Sequence, residues 1–461
     1  MRAHEAGAMH ADIGHPGPGW LRAAEDVNAL MPELWPRTVT RTDAGPLTVG
    51  GVDVRELAET YGTPAYILDE ADFRARCREF KDAFGTADVF YAGKAFLCKA
   101  VVRMVAEEGL SLDVCTGGEL AVALAAGFPP ERLGLHGNNK SMSELDRALD
   151  AGVGRIIVDS FEEIDRLTAL AREKGIRPAV LVRVTVGVEA HTHEYIATAH
   201  EDQKFGFSLS GGAAARAVEK ILADDVLELR GLHSHIGSQI FDTSGFEVSA
   251  RRVLALQAQI RDAHGIELPE LDLGGGFGIA YTAQDDPAPP GDLAASLLKI
   301  VEHECAAYRL AVPHLSIEPG RAIVGPAMFT LYEVGTVKDV DGIRTYVSVD
   351  GGMSDNIRTA LYDASYSATL AGRASSQPAV LARVVGKHCE SGDVIVKDEF
   401  LPADVRPGDL LAVPGTGAYC RSMASNYNHV PRPPVVAVAN GAARVVVRRE
   451  TEDDLLSLDV G

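Results

Sequence analysis

Eight short apolar segments alternate with helical segments between residues 89 and 318, and this recurrence constrains the fold more than any other feature. The apolar segments are VFYAG (89–93), SLDVC (111–115), RLGLH (132–136), RIIVD (155–159), AVLVRVTV (179–186), LELRGLHSH (227–235), ELDLG (270–274) and HLSIE (314–318). The segments between them carry apolar residues at helical spacing, as in SMSELDRALDAG and FEEIDRLTALAREKG. This alternation predicts a closed (β/α)8 barrel of the TIM type over residues 69–320. A doubly wound open sheet is the alternative.

The pattern changes after residue 320, where strand-like runs follow one another with almost no helix between them. Examples are MFTLYEVGTVKDV, IRTYVSVD, AVLARVVGKHC and DVIVKDEFL. They predict a C-terminal antiparallel β-sandwich or barrel over residues 321–461. Residues 41–68 contain LTVGGVDV and most of AYILD, and we expect this segment to add a strand to the β domain. Residues 1–40, rich in Gly, Pro, His and Ala, are predicted to be a flexible lead-in.

Charge and cysteine content exclude several classes of function. The 461 residues include 44 Lys and Arg against 65 Asp and Glu, a net charge of −21. Such a surface repels nucleic-acid phosphates and anionic membranes, so we expect neither as a partner. No apolar run approaches the ~18 residues needed to span a bilayer, and the first twenty residues lack the apolar core of a secretory signal. Six cysteines without CxxC spacing predict reduced thiols in a cytoplasm.

Two features at predicted strand ends suggest binding of an anionic, carbonyl-bearing ligand, because the loops there converge in a barrel of this kind. Lys94 follows the first strand between small residues, where desolvation would favour a Schiff-base nucleophile. A solvated lysine is the simpler interpretation. GGGFG (274–278) follows the seventh strand, where glycines and the N-terminus of a following helix would suit a phosphate. Glycine clusters also mark ordinary tight turns.

HSHIGS (233–238) and EPGR (318–321) end the sixth and eighth strands. His235 could stack on a planar ring or bind a metal, and the simpler interpretation is a core or loop histidine, as for the pair His191 and His193. Glu318 could pair with a protonated pyridine nitrogen or with Arg321, since a buried carboxylate needs a partner. An amine, a phosphate cradle, a carboxylate and a stackable ring together describe a site for pyridoxal 5′-phosphate.

The order of YAGKA, HSHIGS, GGGFG and EPGR resembles the barrel-type, pyridoxal-phosphate-dependent decarboxylases of basic amino acids, which have an alanine-racemase-like fold. Four further stretches narrow the resemblance to the diaminopimelate decarboxylases: EDQKFGFS (201–208), GGMSDNIRTALY (351–362), KHCESGD (387–393) and GTGAYCRSMASNYN (415–428). The resemblance implies decarboxylation of meso-2,6-diaminopimelate to L-lysine and CO2, the last step of lysine biosynthesis.

The resemblance also implies a role for each matching residue. Lys94 would form the Schiff base, His235 would stack on the cofactor, and Glu318 would keep its pyridine nitrogen protonated. The phosphate would be held by Ser238, Gly275, Gly276, Gly278, Gly320 and Arg321. The far end of the substrate would be bound by Arg321, Arg358, Tyr362, Glu390 and Tyr419, and Tyr419 would contact cofactor or substrate. Cys389 would come from the other subunit of a homodimer with composite active sites and would protonate the carbanion.

One departure and three alternatives remain. The stretch NIRTALY lacks the proline that the family more often has at position 357 or 359, but Arg358 and Tyr362 are in place. The first alternative is decarboxylation of another basic amino acid or a carboxylated polyamine, as in ornithine and arginine decarboxylases. The second is a non-catalytic homologue. The third is a metal-dependent barrel hydrolase using His233 and His235, although we expect no metal.

Overall fold

A computed structural model describes residues 17–43, 45–187, 203–340 and 343–461. Its strands are β1 (Thr40–Arg41), β2 (Leu47–Val49), β3 (Val52–Asp53), β4 (Ala65–Asp69), β5 (Asp88–Ala92), β6 (Ser111–Val114), β7 (Leu133–Leu135), β8 (Arg155–Val158), β9 (Ala179–Thr185), β10 (Phe207–Ser208), β11 (Glu228–His233), β12 (Glu270–Asp272), β13 (His314–Ile317), β14 (Met328–Val340), β15 (Arg344–Val349), β16 (Thr369–Leu370), β17 (Ala379–Val385), β18 (Val394–Pro402), β19 (Leu410–Pro414), β20 (Val435–Ala439) and β21 (Ala442–Val447).

The α-helices described are α1 (Val54–Tyr61), α2 (Glu70–Phe84), α3 (Lys99–Glu107), α4 (Gly117–Ala125), α5 (Met142–Ala151), α6 (Phe161–Lys174), α7 (Ala213–Leu222), α8 (Ser244–His264), α9 (Pro290–Tyr308), α10 (Arg321–Val324), α11 (Arg358–Tyr362) and α12 (Glu452–Leu456). Short 3-10 turns cover Pro130–Arg132, Arg421–Met423 and Tyr427–His429. None of the described helices combines the length and the apolar character that crossing a membrane would require. No disulfide joins the six cysteines.

Eight parallel strands close into a barrel in the order β5, β6, β7, β8, β9, β11, β12, β13 and back to β5. The barrel belongs to a compact unit of residues 74–278 and 287–323. Its strands are almost wholly buried, because helices cover them outside and side chains fill the interior, as parallel sheets require. The closed barrel predicted from the strand spacing is confirmed, and the open sheet is excluded.

Capping residues set where the barrel helices begin and end. Ser141 accepts a hydrogen bond from the backbone of Glu144, whose side chain accepts one in return, so α5 starts with a capping box. Gly152 ends the same helix in the left-handed conformation. These signals are local in sequence, and they fix the loop between β7 and α5, which carries His136.

The second unit comprises the described residues up to Phe73 together with residues 279–286 and 324–461. Its main sheet runs β18-β17-β15-β14-β4-β20-β21, and β19 pairs with both β14 and β16. Most neighbours are antiparallel, but β15 with β17 and β4 with β20 are parallel, so the sheet is mixed where we expected it to be antiparallel. Trp35 and Phe329 pack at 5.9 Å between ring centres within one apolar core of this unit.

The segment AYILD forms β4 and lies between β14 and β20. An N-terminal strand therefore lies within the main sheet of the β unit. LTV forms β2, the central strand of a separate three-stranded sheet, and VD forms β3 at one of its edges. The excursion of residues 279–286 into the β unit was not predicted, because nothing in their sequence distinguishes them from a barrel loop.

Candidate active site

Polar side chains from the C-terminal parts of six barrel strands surround one cavity of about 330 Å³. Lys94, Asp113, His136, Arg183, His233, His235 and Glu318 all line it. The three residues predicted to bind the reactive part of the cofactor, Lys94, His235 and Glu318, are thus brought together. We expected the amine of Lys94 to be desolvated, but the side chain is exposed. The reason is that the chain turns at Gly93 and Lys94 directly after β5.

Glu318 is the charged carboxylate of this cavity. His233 Nε2 lies 2.9 Å and His136 Nε2 lies 3.3 Å from Glu318 Oε1. Burial alone would raise the pKa of Glu318, but the two imidazoles outweigh it, and the pKa lies well below the ordinary value. Oε1 of this buried, ionised carboxylate therefore shares a hydrogen bond with His233 and lies close to the ring of His136.

Two further carboxyl groups, Asp113 and Asp272, lie buried near Glu318. Burial, together with the charge of Glu318, raises the pKa of Asp113 well above its ordinary value and raises that of Asp272 to about 7. Like charges in a low-dielectric site cannot all ionise, so their pKa values separate. The negative charge is accordingly concentrated on Glu318.

His235 is held as a neutral, oriented ring. Burial lowers its pKa well below the usual value, and the nearby Lys94 charge lowers it further. Its Nδ1 accepts a hydrogen bond of 3.2 Å from the backbone N–H of Gly275. A neutral imidazole fixed through one nitrogen is suited to stack on an aromatic ring.

The glycine loop after β12 needs glycine for close backbone packing. A Cβ on Gly275 would lie 2.2 Å from the carbonyl oxygen of Glu318, and one on Gly276 would lie 2.5 Å from that of Gly237. Gly276 also has a φ of +112°, which disfavours other residues. Phe277 anchors the loop by stacking on Phe246 with ring centres 5.5 Å apart.

The loops after β11, β12 and β13 are joined by hydrogen bonds. Ile240 exchanges backbone hydrogen bonds with Gly276 and Gly278, at 2.9 and 3.0 Å. Arg321 Nη2 donates to Ser238 Oγ at 2.9 Å. The helix that we expected directly after GGGFG is absent among the described residues, since α9 begins only at Pro290. The cradle is therefore built of backbone loops without that helix dipole.

The other predicted site residues belong to the β unit and are described within it. Arg358 opens the short helix α11 and is 7 % exposed, and Tyr362 ends the same helix half-buried. Tyr419 has a φ of +62°, an unusual conformation for a tyrosine that often marks functional sites. Cys389 and Glu390 are exposed, and the Cys389 N–H donates to Asn428 Oδ1 at 3.0 Å.

Residues 70–325 match the family model of the pyridoxal-dependent decarboxylases, specifically their pyridoxal-binding domain. Diaminopimelate decarboxylase of Mycobacterium tuberculosis is 60% identical over 440 residues, covering 94% of this chain and 98% of the relative. The Bacillus subtilis enzyme of that name is 49% identical over 427 residues, covering 92% and 97%. This chain belongs to the diaminopimelate decarboxylase family.

Solved structures agree with that membership of the diaminopimelate decarboxylase family. The M. jannaschii diaminopimelate decarboxylase in complex with L-lysine superposes with a TM-score of 0.86 at 32% identity, covering 92% of this chain and 98% of that one. The Helicobacter pylori enzyme, also complexed with L-lysine, has a TM-score of 0.80 at 30% identity, covering 88% and 99%.

Diaminopimelate decarboxylases are pyridoxal-phosphate-dependent carboxy-lyases, and the residues present here fit that cofactor. Glu318 offers an ionised carboxylate to a pyridinium nitrogen, and His235 offers a neutral ring to stack on it. Gly275 and Gly276 leave no room for a Cβ on their loop. Lys94 brings an amine into the same cavity.

The metal-dependent hydrolase alternative requires His233 and His235 to bind one metal ion together. The structure does not group these two side chains as metal ligands. Among the described residues, the one group of potential metal ligands is His136, His233 and Glu318, whose ligand atoms all lie within 4.8 Å of one another. His235 is not in this group, and its Nδ1 accepts from Gly275. His191 and His193 lie outside the described residues. In a diaminopimelate decarboxylase, the two histidines of this group, His136 and His233, are best understood as neighbours that stabilise the charge of Glu318.

Sequence reasoning missed several residues of this diaminopimelate decarboxylase site. The sequence analysis gave no role to His136, Asp113 and Asp272. It considered His233 only as a metal ligand, although His136 and His233 both lie close to Glu318. The available signal was a polar residue inside an apolar strand, as in SLDVC and ELDLG. Lys140 was missed too: its buried amine binds Glu163 Oε1 at 2.8 Å and the carbonyls of Gly137 and Ile157, fixing the His136 loop.

Proposed function

We propose that this chain decarboxylates meso-2,6-diaminopimelate to L-lysine and CO2, with the residue roles given below. The observation that carries the proposal is the cavity in which an amine, a neutral imidazole and an ionised carboxylate face one another, on Lys94, His235 and Glu318. The 60% identity with a diaminopimelate decarboxylase over nearly the whole chain supports the choice of substrate. A cytoplasmic location is part of the proposal.

Pyridoxal phosphate, when bound, supplies an electron-accepting ring that stabilises the charge left when CO2 departs. Glu318 holds a proton on the ring nitrogen, because a carboxylate with a lowered pKa stabilises the cation beside it. His235 would stack on one face of the ring. Lys94 would bind the aldehyde group of the cofactor through its amine. The phosphate would be held by Ser238, Gly275, Gly276, Gly278, Gly320 and Arg321.

Arg358 binds the carboxylate at the far end of the substrate, together with Arg321 and Tyr362. Diaminopimelate carries an amino-acid group at both ends, and a planar guanidinium matches a carboxylate with two hydrogen bonds. Ornithine offers only an ammonium there, which a buried cation repels. Glu390 takes the distal ammonium, and Tyr419 contacts cofactor or substrate. Arg358 therefore favours diaminopimelate over the ornithine and arginine alternatives.

The active site is composite, and the enzyme is a homodimer. Cys389 and Glu390 are both exposed on the single chain, as residues that enter a neighbouring subunit's site would be. A two-fold axis gives each site the same pair from the partner. Cys389 completes the site and delivers the proton to the carbanion.

Replacing Arg358 with alanine tests the carboxylate clamp. We expect kcat/KM for diaminopimelate to fall roughly 30- to 1000-fold, mainly through KM, because one bidentate charged contact contributes about 2–4 kcal/mol. Steady-state CO2 release measures this, and cofactor affinity should hardly change. Arg406→Ala, the same substitution at an exposed position of the same unit, is the matched control. Normal processing of diaminopimelate by Arg358→Ala would remove the clamp role.

A further inference from the structure

Arg358 is a buried cation for which the described residues provide no carboxylate within ion-pair distance. Its exposed fraction is 7 %, and its Nε has no hydrogen-bond partner in the described part of the chain. A buried guanidinium without an acid is costly unless other groups stabilise the charge. The groups that do so here are aromatic.

Two tyrosine rings surround the guanidinium of Arg358. Its central carbon lies 4.8 Å from the ring centre of Tyr281 and 5.6 Å from that of Tyr366. The two rings pack edge to face, with centres 5.2 Å apart and planes at 75°. Cation–π contacts at these distances stabilise a desolvated charge from the ring face. They leave in-plane N–H groups of the guanidinium available to another acceptor.

A circuit of hydrogen bonds also begins and ends at Arg358. Arg358 Nη1 donates to the Tyr366 hydroxyl at 2.6 Å, and that hydroxyl lies 3.6 Å from Cys420 Sγ. The thiol of Cys420 donates to Asn356 Oδ1 at 3.6 Å, which also accepts from the backbone N–H of Arg358 at 3.3 Å. The circuit fixes both the side chain and the backbone of one residue.

We propose that Tyr366 and Tyr281 are positioning residues that hold Arg358 as a preorganised, carboxylate-free cation and thereby set the specificity for a substrate with a distal carboxylate. The inference rests on the proposed function, because it assigns the substrate carboxylate as the missing anion. An acidic neighbour would neutralise Arg358 equally well, but it would compete with that carboxylate. Aromatic ring faces stabilise the charge of Arg358 without accepting hydrogen bonds from the N–H groups of its guanidinium.

The test measures equilibrium binding of L-lysine to the holoenzyme by calorimetry, because the product keeps the amino and carboxyl groups of the unreacted end. Tyr366→Phe keeps the ring and removes the hydroxyl, and we expect the Kd of L-lysine to rise about three- to tenfold. Tyr281→Leu removes a ring face, and we expect a similar or larger rise. Tyr281→Phe, which keeps the ring, should restore wild-type binding.

The controls separate positioning from general damage. Tyr61→Phe removes a tyrosine hydroxyl that also bonds within the β unit, to the Ala443 carbonyl at 2.9 Å, and should leave the Kd of L-lysine unchanged. The Kd of pyridoxal phosphate should be the same in all variants, and a parallel loss of cofactor affinity would indicate a merely structural role and overturn the inference.

The inference and the proposed function fail in different ways. If Arg358→Ala weakens L-lysine binding but Tyr366→Phe and Tyr281→Leu do not, the positioning role is wrong and the clamp stands. If Arg358→Ala leaves L-lysine binding unchanged, the clamp itself is wrong, and the inference falls with it.

Discussion

Replacing Lys94 with alanine is expected to abolish turnover and to remove the visible absorbance that a lysine-bound pyridoxal phosphate gives the protein. The reason is that the bound chromophore requires a covalent bond to an amine, and Lys94 lies in the cavity with Glu318 and His235. An absorbance spectrum of the purified variant after addition of the cofactor measures this directly.

Lys204 provides the matched control, because it lines the same cavity and carries the same amine. Its ammonium lies 4.9 Å from the ring centre of Phe205. Lys204→Ala should keep the absorbance band. A band that survives in Lys94→Ala and disappears in Lys204→Ala would show that the nucleophile has been assigned to the wrong lysine.

Mixing Lys94→Ala with Cys389→Ala should restore activity that neither variant has alone. If each site combines Lys94 of one subunit with the cysteine of the other, a heterodimer has one intact site and one doubly damaged site. Random exchange gives about half heterodimers, each with one of two sites working, so activity should recover toward about one quarter of wild type. Different affinity tags on the two variants verify the exchange.

The control for this experiment is a mixture of the double variant, Lys94→Ala with Cys389→Ala in one chain, with either single variant. No heterodimer of that mixture has an intact composite site, so its activity should stay at the background level. No recovery in the first mixture, despite verified exchange, would mean that each chain supplies its own cysteine. The composite site would then have to be abandoned.

The barrel could be predicted because its information is local. Each strand is a short apolar run, and the residues that signal a helix start, such as Ser141 and Glu144, lie within one helical turn of each other. The strands end one or two residues earlier than predicted at His136 and His235, which follow β7 and β11 as loop residues. Strand pairing in the β unit was harder, since an apolar alternation does not show whether β15 and β17 run parallel.

Only those residues of the candidate site that stand in a short sequence motif could be predicted. Lys94, His235, the glycine loop and Glu318 stand in short patterns that indicate their chemistry. The contact of His136 with Glu318 joins the third barrel strand to the eighth, and that of Tyr281 with Arg358 joins residues 279–286 to helix α11. Such contacts depend on tertiary packing, which no local spacing reveals.

Release of CO2 from meso-diaminopimelate, L-ornithine, L-arginine and L-lysine, measured side by side with saturating pyridoxal phosphate, tests the central claim most directly. We expect CO2 from meso-diaminopimelate, with L-lysine as the second product, and at most trace release from the other three. The expectation follows from the buried cation of Arg358, which lacks a carboxylate partner among the described residues. A kcat/KM for ornithine, arginine or lysine equal to or above that for diaminopimelate would contradict the account.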